Sequence, residues 1–502
     1  MLAENQGHVP DILDCIANLS SDEVFTPPDV ANQVLDLLPK KIWSNPDIRI
    51  LDPCTKTGIF LRESARRLMI GLEKKIPDET ERRKHIFNNM LFGIAITELT
   101  GLVARRSLYY SKDAKNDYSV VQFKDSDGNI QFKRMEHDYV QGKCKVCGSP
   151  YENLERGDSL ENYAYQFIHE EGSLDMKFDV IVGNPPYQLQ SDGFGAQATP
   201  IYQLFVEQAF RMKPRYVAMI IPSRWFAGGM GLNAFRKRML DSTKFTNLVD
   251  FPNAAEMFPG VDIAGGICYF LHDEKHDGPC TVKTYQDGRI SSESSRFLGE
   301  HGDVFVRFNE ALPILEKVKN FIEKNGSLED TISAVNPFGI ATNFKDYKDV
   351  KFSKSVLLQT KDGEKYIEKS QVPNSGSLIP YWKVLVAVAY GERGSYPYLI
   401  TSKPRVLAPN SACTMTYLVA GYFETELEAR NYDAYLRTKF VRFLVAVLKN
   451  TQHVSKSKYQ FVPKLEMNRR WTDKELYKKF GINEIESKFI DSLIREMPEA
   501  ER

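Results

Sequence analysis

Over the first half of the chain, short, mostly apolar runs alternate with amphipathic stretches. IRILD (48–52), MLFGIAI (90–96), FDVIVG (178–183) and RYVAMIIP (215–222) read as buried strands. KTGIFLRESARRLMIGLEKKI, LTGLVARRSLYY and TPIYQLFVEQAFRM, placed between them, read as helices. Strands that lack polar alternation and are separated by helices predict a mostly parallel sheet covered on both faces, so the fold class is α/β over roughly residues 20–272. In SSDEVFTPPDVANQVLDLL, Thr26 is the predicted N-cap of the opening helix, with Pro27 at its first position and Asp29 three residues after Thr26.

Beyond about residue 275 the pattern changes. Short apolar runs are broken by Gly, Pro, Ser and Asn, as in NPFGIATNFKDYKDVKFSKSVLL, which predicts a strand-rich, mixed α+β second domain over 273–470. DAYLRTKFVRFLVAVLKN (433–450) predicts one amphipathic helix. Thr472 and Glu475 have capping-box spacing and open a helical segment over 471–502.

Composition changes this picture little. The 502 residues are 42% hydrophobic and 26% charged, as in an ordinary globular chain of at least two domains. No apolar run approaches the roughly 20 residues that span a bilayer, so no membrane partner is expected. The first residues show no signal pattern, and seven cysteines in this length suggest no disulfide framework, so a cytoplasmic location is expected. Net charge is zero, but Asp433–Arg470 carries nine Lys and Arg against two acidic residues. There Arg437, Lys439, Arg442, Lys449, Lys456, Lys458 and Lys464 interleave with Phe440, Phe443, Tyr459 and Phe461. Basic residues beside aromatics fit a phosphate-contacting face next to a core. Arg224 and Trp225, just past the RYVAMIIP strand, are a second expected approach to nucleic acid.

Two strand ends carry chemistry. After the first strand comes Asp52-Pro53-Cys54-Thr55-Lys56-Thr57-Gly58, leading into a helix whose free N–H groups can meet a carboxylate. Its single glycine excludes a P-loop and the GxGxxG pattern. A cradle for a small zwitterion fits, and an ordinary strand–helix turn is the bland alternative. After FDVIVG comes Asn184-Pro185-Pro186-Tyr187. The two prolines fix the backbone, so the Asn184 amide oxygen and the Pro185 carbonyl can together accept both hydrogens of an amino group. Tyr187 can stack on the plane that carries it.

Together, FTPP (25–28), DPCTKTGIF (52–60), RGDSL (156–160), NPPY (184–187), IIPSRWFAGG (220–229) and EMFPGVDIAGGICYF (256–270) resemble the gamma-type adenine-N6 DNA methyltransferases of bacterial restriction–modification systems. The resemblance implies a Rossmann-like, S-adenosylmethionine-dependent methyltransferase domain over 1–272, with an insertion at 111–157, followed by a target-recognition domain. It implies that Thr26, Asp52, Cys54, Thr57, Gly58, Phe60 and Asn184 hold the cofactor, and that Asp158 contacts its adenine. It further implies that Asn184, Pro185, Pro186 and Tyr187 are catalytic and that Phe258 faces the target base from the other side. One position departs: the acid that usually binds the ribose, two residues after the glycine of the second strand, is Ala95. Glu98 is the nearest acid, three residues further on. The implied reaction is N6 methylation of an adenine flipped out of double-stranded DNA, with a separate restriction nuclease subunit as partner.

Three other readings remain at this level. A glutamine-N5 protein methyltransferase also uses Asn-Pro-Pro-Tyr, but the Phe25–Pro28 segment and the large second domain suit DNA better. A methylase–nuclease fusion lacks its Pro-Asp…Glu-x-Lys signature. A non-catalytic DNA-binding specificity subunit would not need an intact Asn-Pro-Pro-Tyr. Apart from the transfer chemistry, Cys144 and Cys147 have the Cys-x2-Cys-Gly spacing of a zinc knuckle, and His137 and His169 are near in sequence, so a structural zinc site is a further expectation.

Overall fold

The computed structural model describes residues 24–151, 164–170, 176–189, 199–261, 263, 265–300, 304–392, 396–449 and 452–498. The apolar runs become strands whose central residues are all buried: 50–55, 91–95, 180–183 and 216–222. In chain order the first unit contains α1 (Pro28–Leu35), β1 (Ile50–Thr55), α2 (Ile59–Gly71), α3 (Glu79–Asn89), β2 (Leu91–Ala95), α4 (Glu98–Tyr109) and β3 (Ile130–Gln131). Next come β4 (Tyr139–Val140), β5 (Lys143–Cys144), α5 (Gln166–His169), β6 (Val180–Gly183), α6 (Tyr202–Arg211), β7 (Tyr216–Pro222) and α7 (Asn233–Asp241). It closes with β8 (Phe245–Phe251), β9 (Ile267–Asp273), β10 (Cys280–Gln286) and β11 (Arg289–Arg296).

Nine of these strands form one sheet in the order β11-β10-β8-β9-β7-β6-β1-β2-β3. From β3 to β7 the pairing is parallel throughout. β9 is antiparallel to both β7 and β8, and β11 is antiparallel to β10. This is a doubly wound, Rossmann-like sheet with two reversed strands, β9 between β7 and β8 and β11 at the edge. The chain moves outward from β1 to β2 and β3, then returns to place β6 on the other flank of β1. The β1–β6 junction is therefore the switch point, where such sheets bind ligands beyond the carboxyl ends of their strands.

The first unit runs to Asp303 and the second is Val304–Arg502. The expected boundary at 272/273 thus falls too early. CTVKTYQ alternates buried and half-buried residues and RISSESSR is mostly exposed, patterns that resemble the second half of the chain, yet β10 pairs in parallel with β8 and continues the first sheet. The stretch 111–157 is likewise not wholly outside the sheet, since Ile130 in β3 pairs with Gly93. α3 has no counterpart in the sequence reading. Its N-cap, Asp78, accepts from the Glu81 amide, but few apolar residues mark it.

The second unit holds two three-stranded sheets. β12 (Ser355–Thr360) lies between β13 (Gly363–Glu368) and β16 (Ser411–Cys413), and β14 (Trp382–Ala387) lies between β15 (Arg405–Leu407) and β17 (Tyr417–Phe423). Its helices are α8 (Ala311–Asn325), α9 (Glu426–Arg437), α10 (Lys439–Ala446), α11 (Asp473–Phe480) and α12 (Glu484–Leu493). The single helix expected over 433–450 is two helices. Thr438 is extended and its hydroxyl accepts from the Val441 amide, which ends α9 and caps α10. Thr472 and Glu475 form the expected capping box on α11. Leu476, Phe480, Ile490 and Leu493 enter the core of this unit, so the described part of that segment, 471–498, packs with it.

Candidate active site

β1 does not stop at Asp52. Its pairing with β2 shifts between Asp52 and Thr55, and the Thr55 hydroxyl donates to the Asp52 carbonyl at 2.9 Å, so Pro53 and Cys54 bulge out of the strand. Lys56, Thr57 and Gly58 complete the turn. Gly58 is the N-cap of α2 with φ 74°, and a Cβ there would lie 3.2 Å from Leu108 Cδ1, so glycine is needed for both its backbone and its space. α2 has no side-chain cap, which leaves its first N–H groups facing the cleft.

This cleft is lined by Thr26, Asp52, Cys54, Lys56, Thr57, Gly58, Ile59, Phe60 and Asn184. It brings together seven residues expected at the cofactor: Thr26, Asp52, Cys54, Thr57, Gly58, Phe60 and Asn184. Asp52 is buried, and its carboxylate accepts the Cys54 amide at 3.1 Å. Burial pushes its pKa up to about 7 against the pull of that amide and of Lys56. Burial and the neighbouring Asp52 also raise the Cys54 thiol well above its ordinary value. From the other side, a Cβ on Gly183 would sit 2.7 Å from Cys54 Sγ and 3.0 Å from Asp52 Oδ1, so β6 ends in direct contact with the β1 bulge.

Thr26 does not cap α1. The helix starts at Pro28, and no side chain bonds its N-terminus. The Thr26 hydroxyl instead accepts from Asn184 Nδ2 at 3.0 Å, across 158 residues of sequence. The second Nδ2 hydrogen goes to the Val24 carbonyl at 3.2 Å, and Lys56 Nζ donates to that same carbonyl at 3.1 Å. Both donors of the Asn184 amide are thus engaged, and Oδ1 is left buried with no hydrogen-bond partner. The Tyr187 hydroxyl is buried against the Asn184 side chain; burial raises its pKa well above the ordinary value, and the hydrogen-bonding influence of Asn184 pulls the other way. Pro185 and Pro186 are buried beside it. Lys56 and the Val24 carbonyl were not singled out from sequence. A lysine inside a strand-to-helix turn was the available signal.

Tyr187 and Phe258 belong to the same apolar cluster, with exposures of 9% and 2%. Phe258 is therefore packed in the core rather than presented at a surface. Glu98 is exposed as the first residue of α4, just past the carboxyl end of β2. It does not line the cleft. Asp158 lies outside the described residues. His137, Cys144, Cys147 and His169 come together, as expected, away from the cleft lining. Burial and the adjacent His169 ring lower the His137 pKa to about 4, so this ring is neutral.

Two expectations about nucleic-acid contact are narrowed. Trp225 is fully buried against Phe226 and Phe235. In the second unit, Arg437 pairs with Asp433, Lys439 with Asp491 and Glu496, and Lys449 donates to the Tyr390 carbonyl. Arg442 is buried and donates to the carbonyls of Arg437, Leu399 and Arg495. These four cations serve the fold, and Phe440, Phe443 and Tyr459 are core.

Residues 89–258 match the family described as Eco57I restriction-modification methylase. The chain is 38% identical, over 309 residues, to an uncharacterized adenine-specific methylase of Mycoplasma pneumoniae, a match covering 55% of this chain and 72% of that one. Among solved structures it is similar to a modification subunit of a putative type I restriction enzyme from Vibrio vulnificus (16% identity, 56% of this chain and 51% of that one, TM-score 0.35). It is also similar to a nuclease-deletion mutant of the Type ISP restriction-modification enzyme LlaGI in complex with a DNA substrate mimic (13%, 96% and 48%, TM-score 0.49). The chain spans about half the length of these two solved proteins. No described helix is long and apolar enough to cross a membrane. With the switch-point cleft, the Asn-Pro-Pro-Tyr strand end and this relative in hand, the chain belongs to the adenine-specific DNA methyltransferases of restriction–modification systems.

Proposed function

We propose that this protein transfers a methyl group from S-adenosylmethionine to the N6 amino group of an adenine flipped out of duplex DNA. The observation that carries the reading is Asn184. Its amide is locked by two hydrogen bonds, and its oxygen is buried, unpartnered and at the edge of the cleft. An orphaned buried acceptor costs about 1–3 kcal/mol, so its presence calls for a ligand that donates to it.

The residues present fit the cofactor. Asp52 offers a carboxylate for an ammonium group, and the open N-terminus of α2 offers N–H groups for a carboxylate. Thr57, Gly58 and Phe60 form the wall behind them. When bound, the cofactor supplies an electrophilic methyl group on a sulfonium. The protein's own part is orientation. Asn184 Oδ1 and the Pro185 carbonyl take the two amino hydrogens and turn the nitrogen lone pair away from the ring plane. A target base must leave the helix to reach them, which costs a few kcal/mol. Stacking on Tyr187, at roughly 1–3 kcal/mol per base, offsets part of that. Alignment and fixed hydrogen-bond acceptors account for the acceleration, with no covalent enzyme intermediate.

The second unit is proposed to select the DNA site, and a separate nuclease is proposed to complete the system. The test is transfer of tritiated methyl to unmethylated DNA, with nucleoside analysis of the product. Label is expected in N6-methyladenine. The Asn184→Ala variant should lose transfer and keep its cofactor affinity. Label in protein or in cytosine, or transfer that survives Asn184→Ala, would overturn the reading.

A further inference from the structure

We infer that His137, Cys144, Cys147 and His169 hold a structural zinc ion that fastens the β4–β5 hairpin to α5. The four ligand atoms all lie within 4.8 Å of one another. Cys144 Sγ is 3.5 Å from His169 Nε2, and Cys147 Sγ is 3.4 Å from His137 Nδ1. In a tetrahedral site with Zn–S near 2.3 Å and Zn–N near 2.0–2.1 Å, the S···N edge is about 3.5 Å. Two separate thiol–imidazole hydrogen bonds would explain two short distances. They would not require the two pairs to converge on one point.

The surroundings are built for a ligand set. Both sulfurs are buried. The Cys144 amide donates to the Ser149 carbonyl at 2.8 Å and the Gly148 amide to the Cys144 carbonyl at 3.0 Å, closing the tight turn that carries both cysteines. His169 Nδ1 lies 2.9 Å from the Tyr165 carbonyl. A carbonyl only accepts, so Nδ1 carries the hydrogen and the Nε2 lone pair is directed at Cys144. A second partner that fixes tautomer and ring direction is the usual companion of a metal-bound histidine.

Four protein ligands leave no open position, so the site is structural rather than catalytic. Two thiolates balance the dication, and both thiol protons pass to solvent on binding. The hairpin needs such a staple, because its strands are two residues each and their pairing is short. Through His169 the ion reaches α5, where Phe167 stacks on Phe205 of α6 at 5.9 Å and Tyr165 meets the same ring edge-on at 5.6 Å. The metal therefore joins a segment with little core of its own to the helix that follows β6.

The full chain, purified without chelator, should contain about one zinc per molecule by mass spectrometry of the metal. Cobalt exchanged into it should show the intense visible bands of a tetrahedral site and a thiolate charge-transfer band in the near ultraviolet. Cys147→Ser and His169→Ala should each lower zinc content at least tenfold. If these variants fail to fold, the cobalt spectrum of the unmodified chain still decides. Weak octahedral bands, zinc below one-tenth per chain, or a content unchanged in folded Cys147→Ser would overturn the inference.

Discussion

Replacing Thr26 by valine tests whether the Phe-Thr-Pro-Pro segment serves the cofactor or the catalytic asparagine. Valine keeps the shape of threonine and removes the hydroxyl that accepts from Asn184 Nδ2 at 3.0 Å. The Val24 carbonyl, at 3.2 Å, then holds the amide alone. The second N–H is left buried without an acceptor, a loss worth about 1–3 kcal/mol, part of which side-chain rotation relieves. That rotation carries Oδ1 away from its working direction. A net penalty of about 1–2 kcal/mol on the productive orientation corresponds to a five- to thirty-fold slower transfer. The assay is single-turnover methyl transfer at saturating cofactor and DNA, with the cofactor Kd measured separately by calorimetry. The rate should fall in that range while Kd moves less than twofold, and Thr26→Ser should restore the rate. A tenfold rise in Kd with an unchanged single-turnover rate would show that Thr26 acts on the cofactor directly and would refute the positioning argument.

Three further outcomes are expected. Because burial lifts Asp52 to about 7, its protonated form supports the fold below that value, and this support is lost as pH rises from about 4 through 7. An incoming ammonium group should expel that proton. Calorimetry in buffers of different ionisation enthalpy should show release approaching one proton near pH 6 and fading above pH 8, and release unchanged in Asp52→Asn would remove Asp52 from the cofactor site. Gly183→Ala places a methyl 2.7 Å from Cys54 Sγ and should weaken cofactor binding at least tenfold through about 1–3 kcal/mol of overpacking; wild-type affinity there would mean the strand end and the bulge can part freely. Tyr187→Phe keeps the ring and should transfer within threefold of the parent, whereas Tyr187→Ala loses stacking worth about 1–3 kcal/mol and should fall five-fold or more; equal losses in both would assign the role to the hydroxyl.

What was legible in the sequence follows from range. FDVIVG and the prolines after it were readable because a short apolar run is a local strand signal and a Pro-Pro pair restricts the backbone locally. The Asp52 turn was readable for the same reason, and the cysteine pair by its spacing. Thr26 misled because its N-cap pattern is locally sound, yet the hydroxyl is claimed by a residue 158 positions away. β10 and β11 misled because strands with one polar face look alike whichever sheet they join. Trp225 and Arg442 show the same limit, since a large side chain in a polar neighbourhood reads as surface until the packing is known.

The internal use of the basic run has a consequence for how tightly salt governs DNA association. Each phosphate neutralised by a lysine or arginine releases condensed counterions and adds about 0.9 to the slope of log K against log salt concentration. With Arg437, Lys439, Arg442 and Lys449 committed to carboxylates and carbonyls, at most five of the nine basic residues between Asp433 and Arg470 can meet phosphates. This stretch can then contribute a slope of no more than about 4.5, and any steeper ionic-strength dependence must originate on another surface of the molecule.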